Sequence, residues 1–157
     1  MAIMIIGGTG FVGSHLARYL IQEKGESGIV LFDAAANYER IADILDHVSV
    51  VQGDILELSE LLQTMQQYKV DRIVHTAYVL GEDNTTNPSR SIKVNCLGTT
   101  NVFEAARLHG AARVVFASAG AVYPLRNVLS EEEVNEDVAG RPNSLYGACK
   151  LFNELEA

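Results

Sequence analysis

Short apolar runs alternate with longer amphipathic stretches along the whole chain. The runs are continuously apolar, as expected for strands covered on both faces of a sheet. They predict strands over residues 2–6, 29–33, 48–52, 72–75 and 113–118. The stretches between them have apolar side chains near helical spacing and predict helices over residues 11–24, 38–45, 58–68 and 89–109, with a last helix from about residue 145.

Helices that alternate with parallel-type strands predict a doubly wound α/β sheet, the Rossmann arrangement, of about five strands in the order 3-2-1-4-5. The polar stretch 81–88 is predicted to be a loop, and the acidic stretch 131–137 a solvated segment. The fifth strand is then left as an open edge of the sheet.

Composition narrows the class of protein further. The chain has 157 residues, of which 48% are hydrophobic and 20% charged, which fits one folded domain and excludes a disordered chain. Its net charge of −8 argues against binding to nucleic acid or to an anionic membrane surface. No segment approaches the roughly 20 apolar residues that a membrane helix needs.

Cysteine and histidine usage gives no sign of a metal site. The two cysteines, Cys96 and Cys149, lie far apart in the sequence, and none of the four histidines has metal-ligand spacing. Unpaired cysteines fit a reducing compartment, and the first residues lack the basic region and cleavage pattern of a secretion signal. We therefore expect a soluble cytoplasmic protein.

The clearest chemical signal is the glycine-rich stretch that follows the first strand, where Gly7, Gly8, Gly10 and Gly13 fall within seven residues. Glycines at this spacing allow a tight turn and the close approach of a pyrophosphate to the backbone. The amides that begin the next helix suit an anion. The alternative is a tight strand-to-helix turn that binds nothing.

An acidic residue at the end of the second strand favours the dinucleotide interpretation. Asp33 lies 20 residues beyond Gly13, where its carboxylate would bind the ribose hydroxyls of an adenosine. A Walker-type phosphate loop is excluded, because Gly13 is followed by Ser14 and His15. Alanines fill positions 34–36, so no adjacent arginine would hold a 2′-phosphate, and NAD is favoured over NADP.

Several motifs in one order make the sequence resemble the extended short-chain dehydrogenase/reductase family, in its NAD-dependent epimerase/dehydratase branch. The resemblance rests on GGTGFVG at 7–13, Asp54-Ile55, the HTAY stretch 75–78, NCLGT at 95–99 and YGACK at 146–150. It covers essentially the whole chain. It implies that NAD would contact Gly7, Gly10, Phe11, Val12, Gly13, Asp33, Asp54, Ile55, Thr76, Ala77, Tyr78, Asn95, Tyr146 and Lys150.

The resemblance also carries expectations about substrate, assembly and length. It implies a small-molecule substrate, a nucleotide sugar, and a homodimer formed through helix 89–109 and the helix from 145. Family members continue past this point with further strands and a substrate-binding region. We therefore expect residues 1–157 to be the NAD-binding domain of a truncated chain or of a subunit completed by another chain.

The YxxxK pair has chemistry of its own. Tyr146 and Lys150 stand at i and i+4 on one helix face, so their side chains can meet. A nearby ammonium lowers the pKa of a phenol, which makes Tyr146 a candidate general base toward a substrate hydroxyl while hydride leaves for NAD. Lys150 can also hold the nicotinamide ribose. The alternative is an exposed pair without a catalytic role.

One side-chain hydroxyl that the family pattern implies is missing at its expected position. The family pattern implies a Ser or Thr four residues before Tyr123, where this chain has Ala119, and the neighbouring hydroxyl belongs to Ser118. Side chains of successive strand residues point to opposite faces, so Ser118 replaces the missing group only if the strand end bulges. Two other hypotheses therefore stay open: an NAD-binding or regulatory module without catalysis, and an S-adenosylmethionine-dependent methyltransferase, against which YxxxK and Asp54-Ile55 argue.

Overall fold

Five parallel strands form one sheet in the computed structural model, which describes residues 1–81, 83–124, 135, 137, 138 and 140–157. The order is β3-β2-β1-β4-β5, which confirms the predicted order and the doubly wound fold. Every neighbouring pair is parallel. The strands are β1 (Ala2–Ile6), β2 (Ile29–Asp33), β3 (Val48–Gln52), β4 (Val70–His75) and β5 (Arg113–Phe116).

The central strand β1 explains the continuous apolar runs. All of its residues are buried, because strands lie on both sides of it and helices cover its faces. On one face its side chains join a core cluster with others from α1 (Phe11–Gln22), β2 and the 3-10 helix Glu39–His47. The buried members are Ile3, Ile5, Ala17, Ile29, Leu31, Ile41 and Ile44.

The helices differ from prediction in type and in ends more than in place. The stretch predicted as helix 38–45 is the 3-10 helix Glu39–His47, and the polar loop predicted over 81–88 contains a short helix, α3 (Asp83–Thr86). Helix α2 covers Leu58–Tyr68, as predicted, and the last helix, α6, covers Leu145–Glu156. The acidic stretch 131–137 falls mostly outside the described residues.

The long helix predicted over 89–109 is divided. It consists of α4 (Pro88–Ile92), a π-helical segment (Lys93–Gly98) and α5 (Thr99–His109) in direct succession. Asn87 caps the start of α4, since its side-chain Oδ1 accepts a hydrogen bond from the Arg90 amide. Segments of π-helix are rare and frequently accompany functional sites.

The described chain divides into two units. The sheet unit comprises Met1–Tyr78 and Asn101–Phe116, and the helical unit comprises Val79–Thr100 and Ala117–Ala157. Within the described residues, no helix is both long enough and apolar enough to cross a membrane.

Candidate functional site

In the sheet unit, the turn between β1 and α1 is so tight that Gly7, Gly8 and Gly13 leave no room for a Cβ. Gly7 has a φ of +77°, and a Cβ there would lie 2.7 Å from the backbone nitrogen of Ala77. A Cβ on Gly13 would lie 2.3 Å from the Gly7 carbonyl oxygen. The first turn of α1 therefore lies directly against the end of β1, as the motif predicts.

The first turn of α1 presents backbone amides that are not capped by a side chain. Its N-cap is Gly10, which makes no side-chain cap hydrogen bond. The side chains of the next two residues, Phe11 and Val12, are 71% and 58% exposed. These residues can therefore meet a phosphate through their amides, at the positive end of the helix dipole.

Asp33, at the end of β2, is tied to the glycine turn through Thr9. Its Oδ2 accepts hydrogen bonds from the Thr9 hydroxyl at 2.7 Å and from the Thr9 amide at 3.1 Å. The same hydroxyl accepts from the Asn37 amide at 3.1 Å, and Arg40 donates to the Thr9 carbonyl oxygen at 3.1 Å. A carboxylate has lone pairs for further donors, so Asp33 can also bind ribose hydroxyls.

The segment after β3 is also held in place by side-chain hydrogen bonds. Asp54 accepts at Oδ1 from the Leu56 amide at 2.9 Å, so part of its acceptor capacity serves the local turn. Asn101 donates its side-chain amide to the carbonyl oxygens of Ile55 and Leu56, each at 3.0 Å. Ile55 is buried, with 6% of its surface exposed. This segment can therefore contact a ligand through apolar surface and backbone groups.

The residues after β4 lie against the glycine turn. Thr76 donates to the Ile6 carbonyl oxygen from its amide at 2.8 Å and from its hydroxyl at 2.9 Å. Ala77 is the residue that a side chain on Gly7 would strike. The glycine turn, Asp33 and the 76–77 segment thus lie together at the carboxyl ends of β1, β2 and β4. In doubly wound folds, ligands bind at this end of the strands.

Asn95, in the helical unit, has its side chain engaged with the backbone of Val79. It is fully buried in the π-helical segment, and its amide group forms two hydrogen bonds with the backbone of Val79. Its Oδ1 accepts from the Val79 amide at 2.8 Å, and its Nδ2 donates to the Val79 carbonyl oxygen at 3.1 Å. The cofactor contact that the resemblance implies for Asn95 stays a prediction, and the described hydrogen bonds of its side chain fix the chain at Val79.

Tyr146 and Lys150 lie on α6 as the spacing predicts. The Ser144 side chain caps this helix by accepting from the Gly147 amide at 3.1 Å. The Lys150 ammonium lies 5.9 Å from the centroid of the Tyr146 ring and donates to the Ala117 carbonyl oxygen at 2.5 Å.

The predicted lowering of the Tyr146 pKa by Lys150 is not what the structure shows. Burial raises the pKa of Tyr146 above its usual value. Burial also lowers the pKa of Lys150 to about 8, against the opposing attraction of Glu154. Desolvation, which depends on packing and is invisible in the sequence, is the main cause of both shifts.

Ser118 does not simply replace the hydroxyl missing at Ala119. Strand β5 ends at Phe116, so the alternation of a strand no longer governs residues 117–119. The Ser118 hydroxyl donates to the carboxylate of Glu154, which lies one turn beyond Lys150 on α6. Ser118 is therefore engaged with α6.

The two cysteines, distant in sequence, are neighbours in the structure. Cys96 lies in the π-helical segment, and Cys149 is buried on α6. Burial, together with a hydrogen bond to Cys149, raises the pKa of Cys96 to about 12. Among the described residues, no group of three or more His, Cys, Asp or Glu is arranged to hold a metal ion.

The sequence matches a known protein family and several known proteins. The model of the NAD-dependent epimerase/dehydratase family matches residues 3–157. A dTDP-glucose 4,6-dehydratase of Mycobacterium tuberculosis is 30% identical over 99% of this chain and 47% of its own length. A UDP-glucose 4-epimerase of Streptococcus mutans is 30% identical over 98% of this chain and 45% of its own length.

Solved structures agree with these matches. The UDP-glucose 4-epimerase of Thermus thermophilus, in complex with NAD, superposes with a TM-score of 0.88 at 28% identity. The match covers 99% of this chain and 49% of that one. The chain thus spans about half the length of the relatives that it matches.

Proposed function

This chain belongs to the NAD-dependent epimerase/dehydratase family, and from that premise we propose that it forms the NAD-binding part of an enzyme that acts on a nucleotide sugar. Two of its relatives are named for dTDP-glucose and UDP-glucose, which makes a nucleoside-diphosphate hexose the substrate class to test. The unpaired cysteines fit our further proposal of a reducing, cytoplasmic setting.

The observation that carries the proposal is the glycine turn with Asp33 beside it. The uncapped amides of Phe11 and Val12 would bind the pyrophosphate, and Asp33 would bind the adenosine ribose. The close approach at Gly7 and Gly13 leaves the backbone itself as the binding surface. We further propose that Asp54, Ile55, Thr76, Ala77 and Tyr78 line the cofactor, that Gly10 supports the turn, and that Asn95 acts indirectly by holding Val79.

In the proposed reaction Tyr146 takes the proton from a substrate hydroxyl. Bound NAD would supply the hydride acceptor for the carbon that bears this hydroxyl. Because the pKa of Lys150 is about 8, its side chain is mostly charged at neutral pH. Its positive charge can then stabilise the phenolate that forms on Tyr146 and can bind the nicotinamide ribose.

One observation favours a second candidate, an NAD-binding module without catalysis. Position 119 is Ala, and the neighbouring Ser118 hydroxyl is engaged by Glu154. Neither residue then supplies the hydroxyl that the family pattern places beside the tyrosine. On this alternative the chain binds NAD but catalyses no reaction.

Calorimetry with NAD and NADH, followed by turnover assays on UDP- and dTDP-hexoses, tests both candidates. The enzyme proposal expects binding and turnover, with turnover lost in Tyr146→Phe. Binding without turnover supports the module, and Ala119→Ser then tests whether the hydroxyl alone was lacking. Failure to bind either nicotinamide cofactor contradicts both candidates.

We also propose that the helical unit forms a homodimer. Four large apolar side chains are exposed there on α4, the π-helical segment and α6: Ile92, Leu97, Phe152 and Leu155. Burial of such side chains favours association. Sedimentation should give a dimer that Phe152→Glu dissociates, and a monomer at all concentrations would contradict this proposal.

A further inference from the structure

The last helix carries a third polar residue on the face that bears Tyr146 and Lys150. Asn153 follows them at i+7 and i+3, so the three side chains project in similar directions. Asn153 is fully buried. Its Nδ2 donates to the backbone carbonyl oxygen of Asn95 at 2.7 Å, within the π-helical segment.

We propose that Asn153 is a positioning residue, which fixes the rotation of α6 about its axis by this hydrogen bond and so fixes where Tyr146 and Lys150 point. The proposal rests on the function proposed above for Tyr146 and Lys150. It concerns a residue outside the YxxxK motif.

The acceptor of this hydrogen bond is itself held in place. Asn95 forms two hydrogen bonds with Val79, at 2.8 and 3.1 Å, and is fully buried. A carbonyl in a regular α-helix is directed along the axis to its i+4 amide, and a π segment departs from this ladder. Because a carbonyl oxygen has two lone pairs, that of Asn95 can accept from Asn153 beside any hydrogen bond within its own helix.

Among the described residues, three other side-chain hydrogen bonds hold α6. The bond from the Ser118 hydroxyl to Glu154 is exposed to solvent, whereas Asn153 is fully buried. The Ser144 cap acts at the first turn. Lys150 donates to the Ala117 carbonyl oxygen, but in the proposed reaction the Lys150 ammonium must also bind the nicotinamide ribose. Asn153 holds the same face and takes no part in the chemistry. A shift of about 1 Å in a reacting group can lower a rate 100-fold, so a small rotation of α6 matters.

The first test replaces Asn153 by Leu, which has similar size and no donor. We expect kcat to fall roughly 10- to 100-fold, with the Kd for NAD within about two-fold of the wild type. The matched control is Gln67→Leu, which removes an exposed amide on α2 and should change neither constant. An unchanged kcat in a folded Asn153→Leu variant overturns the proposal.

Asn153→Asp provides a second test if the Leu variant does not fold. Its carboxylate cannot donate to the Asn95 carbonyl oxygen, but its protonated form can. The ratio of its kcat to that of the wild type should therefore rise as the pH falls through the pKa of the introduced carboxyl, which burial raises. A ratio that is constant with pH overturns the proposal.

A third measurement does not depend on turnover. Burial raises the pKa of Tyr146, so loss of the anchor should let this pKa fall toward its usual value. Carbon-13 NMR of labelled tyrosine, assigned with Tyr146→Phe, follows this titration in the wild type and in the Asn153 variants. Wild type that neither binds NAD nor turns over contradicts the proposed function. An unchanged Tyr146 titration in a folded variant contradicts the positioning role.

Discussion

Asp33 combines a structural and a ligand-binding role in one carboxylate. It orders the glycine turn through Thr9 and, in the proposed function, binds the ribose. We predict that Asp33→Asn raises the Kd for NAD roughly 10- to 100-fold, because a hydrogen bond to a charged group contributes about 1.5–3 kcal/mol. Calorimetry measures this change.

The matched control is Asp46→Asn, an exposed carboxylate in the 3-10 helix, which should leave the Kd unchanged. Equal affinities for wild type and Asp33→Asn would show that Asp33 serves the turn alone.

Lys150 gives the folded protein a defined dependence on pH. Its pKa is about 8 when folded and 10.5 when exposed, so between these values the unfolded chain binds more protons. The contribution of Lys150 to the free energy of unfolding therefore rises with pH across this window, by at most about 1.4 kcal/mol per pH unit. Relative to the wild type, Lys150→Met should lose stability as the pH rises from about 8 to about 10.5.

Urea unfolding of both proteins across this range checks the prediction. Lys24→Met, which removes an exposed lysine, should show no such trend against the wild type. A stability difference between wild type and Lys150→Met that stays constant with pH would mean that the folded protein does not lower the lysine pKa.

At the residue scale, the sequence predicts motif positions better than their environments. The tight glycine turn is predicted from spacing alone, because the backbone at Gly7 and Gly13 leaves no room for a Cβ. The roles of Asp33, Tyr146 and Lys150 stay predictions. Thr9 is missed because its partners Asp33, Asn37 and Arg40 are at least 24 residues away along the chain. The pKa of Tyr146 is predicted in the wrong direction because burial depends on the whole fold.

At the scale of elements, the start of α6 depends on a glycine inside the YxxxK motif. A Cβ on Gly147 would lie 2.2 Å from the Ala121 carbonyl oxygen. Alanine stabilises a helix by about 1 kcal/mol relative to glycine, whereas forced overpacking costs about 1–3 kcal/mol. Because the clash is with backbone, the cost lies at the upper end of this range, and we predict that Gly147→Ala is destabilising by a net of about 1–2 kcal/mol.

Chemical denaturation compares this variant with Gly120→Ala. Gly120 lies in the neighbouring 3-10 turn, where a Cβ would meet nothing within 4 Å, and its substitution should be nearly neutral. Equal stability of the two variants would show that α6 can move away from Ala121 at little cost.

Secondary-structure elements are predicted well where burial is uniform. They are predicted poorly where the backbone hydrogen bonds change from the α-helical pattern to another. Strand β1 is buried throughout, so a continuous apolar run identifies it. The helix type over Glu39–His47 and the π-helical segment Lys93–Gly98 are not predicted, because side-chain periodicity hardly differs between these helices and an α-helix. Strand β5 ends two residues earlier than predicted, so the alternation of side chains along a strand does not apply to Ser118.

At the scale of the whole molecule, the net charge of −8 leads to a prediction about salt. A protein that binds an anion through a basic patch loses affinity as salt screens the attraction. Here the proposed contacts to the pyrophosphate are backbone amides of α1, on a chain that repels anions at long range. We predict that raising NaCl from about 50 to about 300 mM leaves the Kd for NAD unchanged or lowers it.

Calorimetry at several salt concentrations decides this. Weaker binding at higher salt would point instead to arginine or lysine side chains at the site, with Arg40, which reaches Thr9, as the first to replace.

The buried thiol of Cys149, next to Cys96, allows the opening of the last helix to be measured by chemical modification. Cys149 is 3% exposed, so an alkylating reagent reaches it only when α6 leaves the π-helical segment. Its alkylation rate then measures the population of that opened state, and the rate at the same cysteine in the wild type serves as the reference. We expect the Asn153→Leu variant to react faster at Cys149 than the wild type, as mass spectrometry of the labelled peptides would show.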